Sequence, residues 1–160
     1  MGQEITLFYK KDALGRDGGS SSKIAWDTDE QERYKVRPMI FDIQKAKAII
    51  AAKPRPIVFF NPNHFRVAIE SFKLRGLWND PRKPVDLDIP VIMVPWGAGF
   101  PPGFLPIDGW KRIATAIEKG IAPLPAIPLD DRESLEIAWV PPEESIVLTP
   151  QGHKINLYGE

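Results

Sequence analysis

The chain has 160 residues, enough for one domain that buries a sizeable core without covalent staples. It has no cysteine, which excludes disulfides, thiolate metal sites and cysteine nucleophiles. Lys plus Arg equals Asp plus Glu at 21 each, so no global field draws the protein onto nucleic acid, and a DNA-binding surface has to be local.

Ile5–Lys10 reads as a strand, and the Gly- and Ser-rich stretch 12–22 as a flexible linker or hairpin tip. Lys23–Trp26 reads as the returning strand, followed by acidic residues Asp27–Glu32 and an extended piece from Tyr34 to Met39. Residues 1–40 are therefore expected to form an N-terminal β extension. Regular structure begins at Phe41. Asp42 is placed to N-cap a helix over Ile43–Ala52, with Lys45 and Lys47 on its surface. Pro54 and Pro56 end that helix, and Pro56–Phe60 reads as a buried strand. After the Asn61-Pro62-Asn63 turn, Asn63 is a candidate cap for a helix whose Phe65, Ala68, Ile69 and Phe72 share one face. Gly76 closes it.

A charged loop over Leu77–Asp88 leads to an apolar strand, Ile89–Pro95, and then to the Gly/Pro-rich loop Trp96–Gly103. Leu105–Asp108 is the next strand. The helix from Gly109 to Lys119 buries Trp110, Ile113, Ala114 and Ile117, Gly120 ends it, and Leu124–Leu129 is a strand. Leu135–Val140, Ser145–Leu148 and Lys154–Tyr158 read as short strands. The 17 prolines, roughly double the average usage of ~5%, lie mostly between elements and stiffen the connections. The expected fold is α/β (α+β): a small mixed sheet with helices over 41–140, and a tail of short strands over 141–160.

The strongest functional signal is the turn Asp108-Gly109-Trp110-Lys111-Arg112. Gly109 lets the backbone turn with positive φ or approach a ligand closely. Amides at a helix N-terminus attract phosphate, backed by the helix dipole. Arg112 falls in the first helical turn, where its charge opposes that dipole unless an anion lies between them. The alternative reading pairs Arg112 with Asp108 or Glu118.

The order strand, Asp-Gly-x-x-Arg, amphipathic helix, Gly, strand over Leu105–Leu129 resembles the core of the ParB/sulfiredoxin-like superfamily. The layout from Phe41 to Phe104 also fits it loosely. The resemblance implies a compact ParB/sulfiredoxin-like domain in which Gly109 and Arg112 contact nucleotide phosphates, with Asp108 and Lys111 adjacent. It implies a nucleoside triphosphate, ATP or CTP, and Mg²⁺ as possible ligands. Partition proteins of the family usually carry Gly-Glu-Arg-Arg here and a second downstream motif, for which this chain has no counterpart. Sulfiredoxin needs a cysteine in this turn, so sulfinic-acid reduction is excluded.

Asp108 reads either as an N-cap or as a catalytic carboxylate that holds a metal or orients a water, with Arg112 as its partner in catalysis. No metal-ligand set stands out, since His64 and His153 are isolated. Trp96 and Phe100 are placed either to stack on a base or to cover the core. Two functions compete. One is nucleotide or phosphate binding, with hydrolysis of nucleotide or nucleic-acid phosphodiester bonds as an extension. The other is a non-catalytic plasmid- or phage-type inhibitor or adaptor that docks to a protein partner. Without a signal segment or an apolar run of ~20 residues, the expectation is a cytoplasmic protein with no membrane partner.

Overall fold

The computed structural model describes residues 7–22, 24, 26, 33–36, 39–76, 85–96, 103–139, 146–148 and 154–156. In chain order these form β1 (Phe8–Tyr9), β2 (Arg33–Val36), β3 (Met39–Asp42), α1 (Ile43–Ala52), β4 (Val58–Phe60) and a 3₁₀ turn at Pro62–Phe65. Then come α2 (Arg66–Leu74), β5 (Val91–Pro95), β6 (Phe104–Asp108), α3 (Trp110–Lys119) and β7 (Leu124–Pro128). The last elements are α4 (Asp131–Ile137), β8 (Ala138–Trp139), β9 (Ile146–Leu148) and β10 (Lys154–Asn156). The chain is mixed α/β, as the sequence implies.

The main sheet has five strands in the order β1-β4-β7-β5-β6, with β5 and β7 parallel and the other neighbours antiparallel. Side chains alternate across it. Val91 and Met93 of β5 point with Leu124 and Ala126 of β7 toward Ile69 of α2 and Ile113 of α3. Ile92 and Val94 point with Ile127 toward Ile43, Ala46 and Ile50 of α1 and Ile137 of α4. Helices thus cover both faces, and a strand buried on both sides reads as the continuous apolar run seen in β5. A second sheet orders β2-β3-β8, and β9 pairs with β10 as an antiparallel hairpin.

The N-terminal arm is tied into this framework. β1 adds an edge strand beside β4. The Gly/Ser stretch is a hairpin tip rather than a linker: the Asp12 carboxylate accepts from the Leu14 and Arg16 amides at 2.9 and 2.8 Å. Ser21 and Arg55 exchange two bonds, Ser21 N–H to the Arg55 carbonyl at 2.8 Å and Arg55 N–H to Ser21 Oγ at 2.9 Å. Gly18 has to be glycine there, since a Cβ would lie 2.6 Å from the Ile57 carbonyl oxygen.

Several expectations hold locally. Asp42 caps α1 by accepting from Lys45 N–H, and Gly120 ends α3 in the left-handed region. Others are corrected. Lys47 is buried, not on the surface; its Nζ lies 4.9 Å from the centre of the Trp26 ring, and its stem shares the inner stripe of α1 with Ile43 and Ile50. Asn61, not Asn63, caps the turn before α2. Ile24 and Trp26 pack on the core outside any strand. Leu135–Ile137 is helical, and among the described residues of the expected Leu135–Val140 strand only Ala138–Trp139 is extended. There the capping box of Asp130 and Glu133 starts α4 and overrides the strand-like composition that follows.

Glu133 also receives a bidentate fork from Arg55, Nη1 to Oε1 at 2.6 Å and Nη2 to Oε2 at 2.7 Å. These bonds hold its carboxyl below the usual glutamate range, against the opposing effect of burial. A depressed folded-state pKa contributes stability that is full above the unfolded value of about 4.3 and is lost as pH falls through the folded value. Glu133→Gln is expected to cost about 2–3 kcal/mol at neutral pH, the scale of charge-assisted hydrogen bonds. It should also flatten the loss of stability below about pH 4. Urea unfolding of both proteins across acid pH checks both effects.

Candidate functional site: the turn between β6 and α3

β6 runs through the core and ends at Asp108, which is buried. Gly109 then turns with φ of +106° and serves as N-cap of the ten-residue α3. No side chain caps this helix among the described residues. Its first backbone bond runs from Ile113 N–H to the Gly109 carbonyl at 3.0 Å. The amides of Trp110 and Lys111 precede that bond and have no acceptor within the helix.

Arg112 is 5% exposed, an unusual burial for an arginine. Helical side chains lean toward the N-terminus, so from the third position of α3 the guanidinium reaches back under the turn. Nη2 lies 3.2 Å from the Pro90 carbonyl and 3.4 Å from Asp108 Oδ2. The sequence leads one to expect an anion between Arg112 and the helix dipole. In the structure the protein supplies that negative charge itself, from Asp108 and a carbonyl just before β5. Lys111, by contrast, is exposed at the same turn.

Trp110 is a packing residue, as expected. Phe65 and Phe72 meet its ring edge-to-face at centroid distances of 5.8 and 5.1 Å. Its buried indole N–H faces the Tyr34 hydroxyl, short of a well-aligned hydrogen bond. Burial raises the Tyr34 phenol above its ordinary value, and the indole N–H opposes that rise. Sequence reasoning missed Tyr34, because nothing local ties β2 to α3. The same packing sets the 3₁₀ turn and the start of α2 against α3, so the exposed Asn63, His64 and Arg66 come from the neighbouring element.

Trp96 is half-buried and meets Phe41 edge-to-face at 6.2 Å, so part of its ring covers the core. Phe100 lies outside the described residues. So does His153. A local positive face finds little support here, since Arg55 is taken up by Glu133 and Lys73 lies 4.0 Å from Glu118. Among the described residues there is no group of three or more His, Asp or Glu side chains placed to hold a metal ion. No helix among them is long and apolar enough to cross a membrane.

At the other end of β5 from Gly109, the Arg55–Glu133 pair lines an open depression of about 470 Å³ with Pro95, Phe104, Pro128 and Asp130. The Asp130-x-x-Glu133 spacing was the one signal in the sequence that could have marked it.

Trp96→Ala is expected to lower stability by about 2 kcal/mol, below the range for fully buried tryptophan because the ring is only half-buried. It should leave the affinity for any nucleotide unchanged. Thermal unfolding together with calorimetric titration separates these effects.

Compared with family models, curated proteins and solved structures, the chain gives no match in any of the three.

Proposed function

We propose that the turn between β6 and α3 binds the phosphate of a nucleotide. The observation that carries this reading is the first turn of α3: a left-handed Gly109, no side-chain cap among the described residues, and the Trp110 and Lys111 amides ahead of the first helical bond. Lys111 is exposed beside them and supplies a point charge for a phosphate oxygen. Arg66 and His64, exposed at the start of the helix packed alongside, add donors near the same end. The likeness of Leu105–Leu129 to the ParB/sulfiredoxin-like superfamily favours a nucleoside triphosphate, ATP or CTP, over a simpler anion.

Binding is a better-supported reading than hydrolysis of nucleotides or DNA. Asp108, the nearest carboxylate for Mg²⁺, is engaged by Arg112. The described residues offer no other carboxylate or histidine group for a metal, so Mg²⁺ would arrive held by the triphosphate, its usual mode in such sites. The chain then serves as a nucleotide-binding domain in a reducing cytoplasm.

A second reading, docking to a protein partner, has its own observation. Val67 and Leu74 lie seven residues apart on the outer face of α2 and are 77% and 89% exposed.

Lys111→Ala is expected to weaken ATP or CTP binding about tenfold, the scale of one charge-assisted contact, with an unchanged melting temperature. Calorimetry with and without Mg²⁺ measures the first and a thermal-shift assay the second. Absence of binding to every nucleotide at millimolar concentration would leave docking as the better account.

A further inference from the structure

Arg112 and Gly109 occupy one another's space. A Cβ on Gly109 would lie 2.9 Å from Arg112 Nη2, 3.3 Å from Arg112 Cζ and 2.9 Å from Val91 Cγ2. The guanidinium therefore rests against the glycine α-carbon, in the volume that any other residue's side chain would need. The three-residue spacing accounts for the fit, since positions i and i+3 of a helical turn are neighbours.

We infer that Arg112 is a positioning residue, not a phosphate ligand: it holds the Gly109 turn from beneath and so fixes the direction of the Trp110 and Lys111 amides. Three observations converge on this role. The guanidinium is 5% exposed, so an anion arriving from solution meets the amides and Lys111 first. Its Nη2 is directed to Pro90 and Asp108, tying the turn to the residues before β5 and at the end of β6. The backbone at Gly109, with φ of +106° and ψ of 15°, is one that residues with a Cβ rarely adopt. Asp108 belongs to the same device. Its carboxylate compensates a cation that would otherwise face the positive end of the α3 dipole.

This role rests on the phosphate reading for its purpose but not for its test. The first arm follows pyrophosphate and ATP affinity against ionic strength. A residue that touches the anion contributes to the salt dependence, whereas one acting through the backbone does not. Lys111→Gln should lower affinity and flatten the dependence. Arg112→Gln should lower affinity about tenfold and keep the wild-type dependence. Flattening by Arg112→Gln to the extent seen for Lys111→Gln would overturn the positioning role.

The second arm needs no ligand. Gly109→Ala should depress the melting temperature strongly in the wild-type background and by a clearly smaller amount with Arg112→Gln, because one of the two 2.9 Å collisions is gone. Additive effects would overturn the interlock. If Arg112→Gln does not fold, Arg112→Lys replaces it in the second arm, since its compact ammonium withdraws from Gly109 while keeping the charge, and Arg112→Met replaces it in the first. Wild-type protein that binds neither pyrophosphate nor ATP defeats the phosphate reading, and with it the positioning role, while the stability cycle still decides the interlock.

Discussion

A charge buried at a helix N-terminus needs compensation, and the arrangement around Arg112 is organised by that constraint. Taking a guanidinium out of water costs several kcal/mol, and the dipole of α3 opposes it further. Asp108 at the end of β6 and the Pro90 carbonyl just before β5 answer this demand, so the two segments and α3 meet at one side chain. Losing one member of such a buried pair typically costs about 3–5 kcal/mol, because the other is left uncompensated. Gly109 completes the arrangement by leaving the guanidinium its space. The motif that reads as a ligand cradle is therefore first a structural lock.

That lock alters how the turn relates to function. If Arg112 pointed outward, the site would be an exposed cation backed by a helix. With Arg112 turned inward, the surface offered to an anion consists of backbone amides and one lysine. In the proposed site, fixed N–H directions would suit phosphate geometry, and the rigidity beneath them would limit the reorganisation needed on binding. Trp110 adds to that rigidity, held edge-on by Phe65 and Phe72 and faced by Tyr34.

How much of this the sequence revealed depended on the range of the interaction. Asp42 as cap, Gly120 as terminator and the apolar run of β5 act over a few residues, and each was legible. The start of α4 is equally local, but the apolar residues from Leu135 onward suggest a strand, whereas the Asp130–Glu133 capping box sets a helix. The remaining misses were tertiary. Lys47 looks like a surface lysine until Trp26 covers its ammonium. Arg112 contacts a carbonyl 22 residues earlier, and Arg55 a carboxylate 78 residues later. Neither partner follows from periodicity. The strand-turn-helix at Asp108-Gly109-x-x-Arg112 was legible, and the direction of its arginine was not.

The central claim is that the amides of the first turn of α3, fixed by Arg112 from beneath, form an anion site. Its most direct measurement is an amide-resolved NMR titration of the whole chain with ATP and with inorganic pyrophosphate. The account predicts saturable shifts concentrated on the amides of Trp110 and Lys111, with the Arg112 side-chain resonances still protected from solvent. Shifts centred elsewhere, or an Arg112 side chain that becomes solvent-exposed and moves with the ligand, would contradict it.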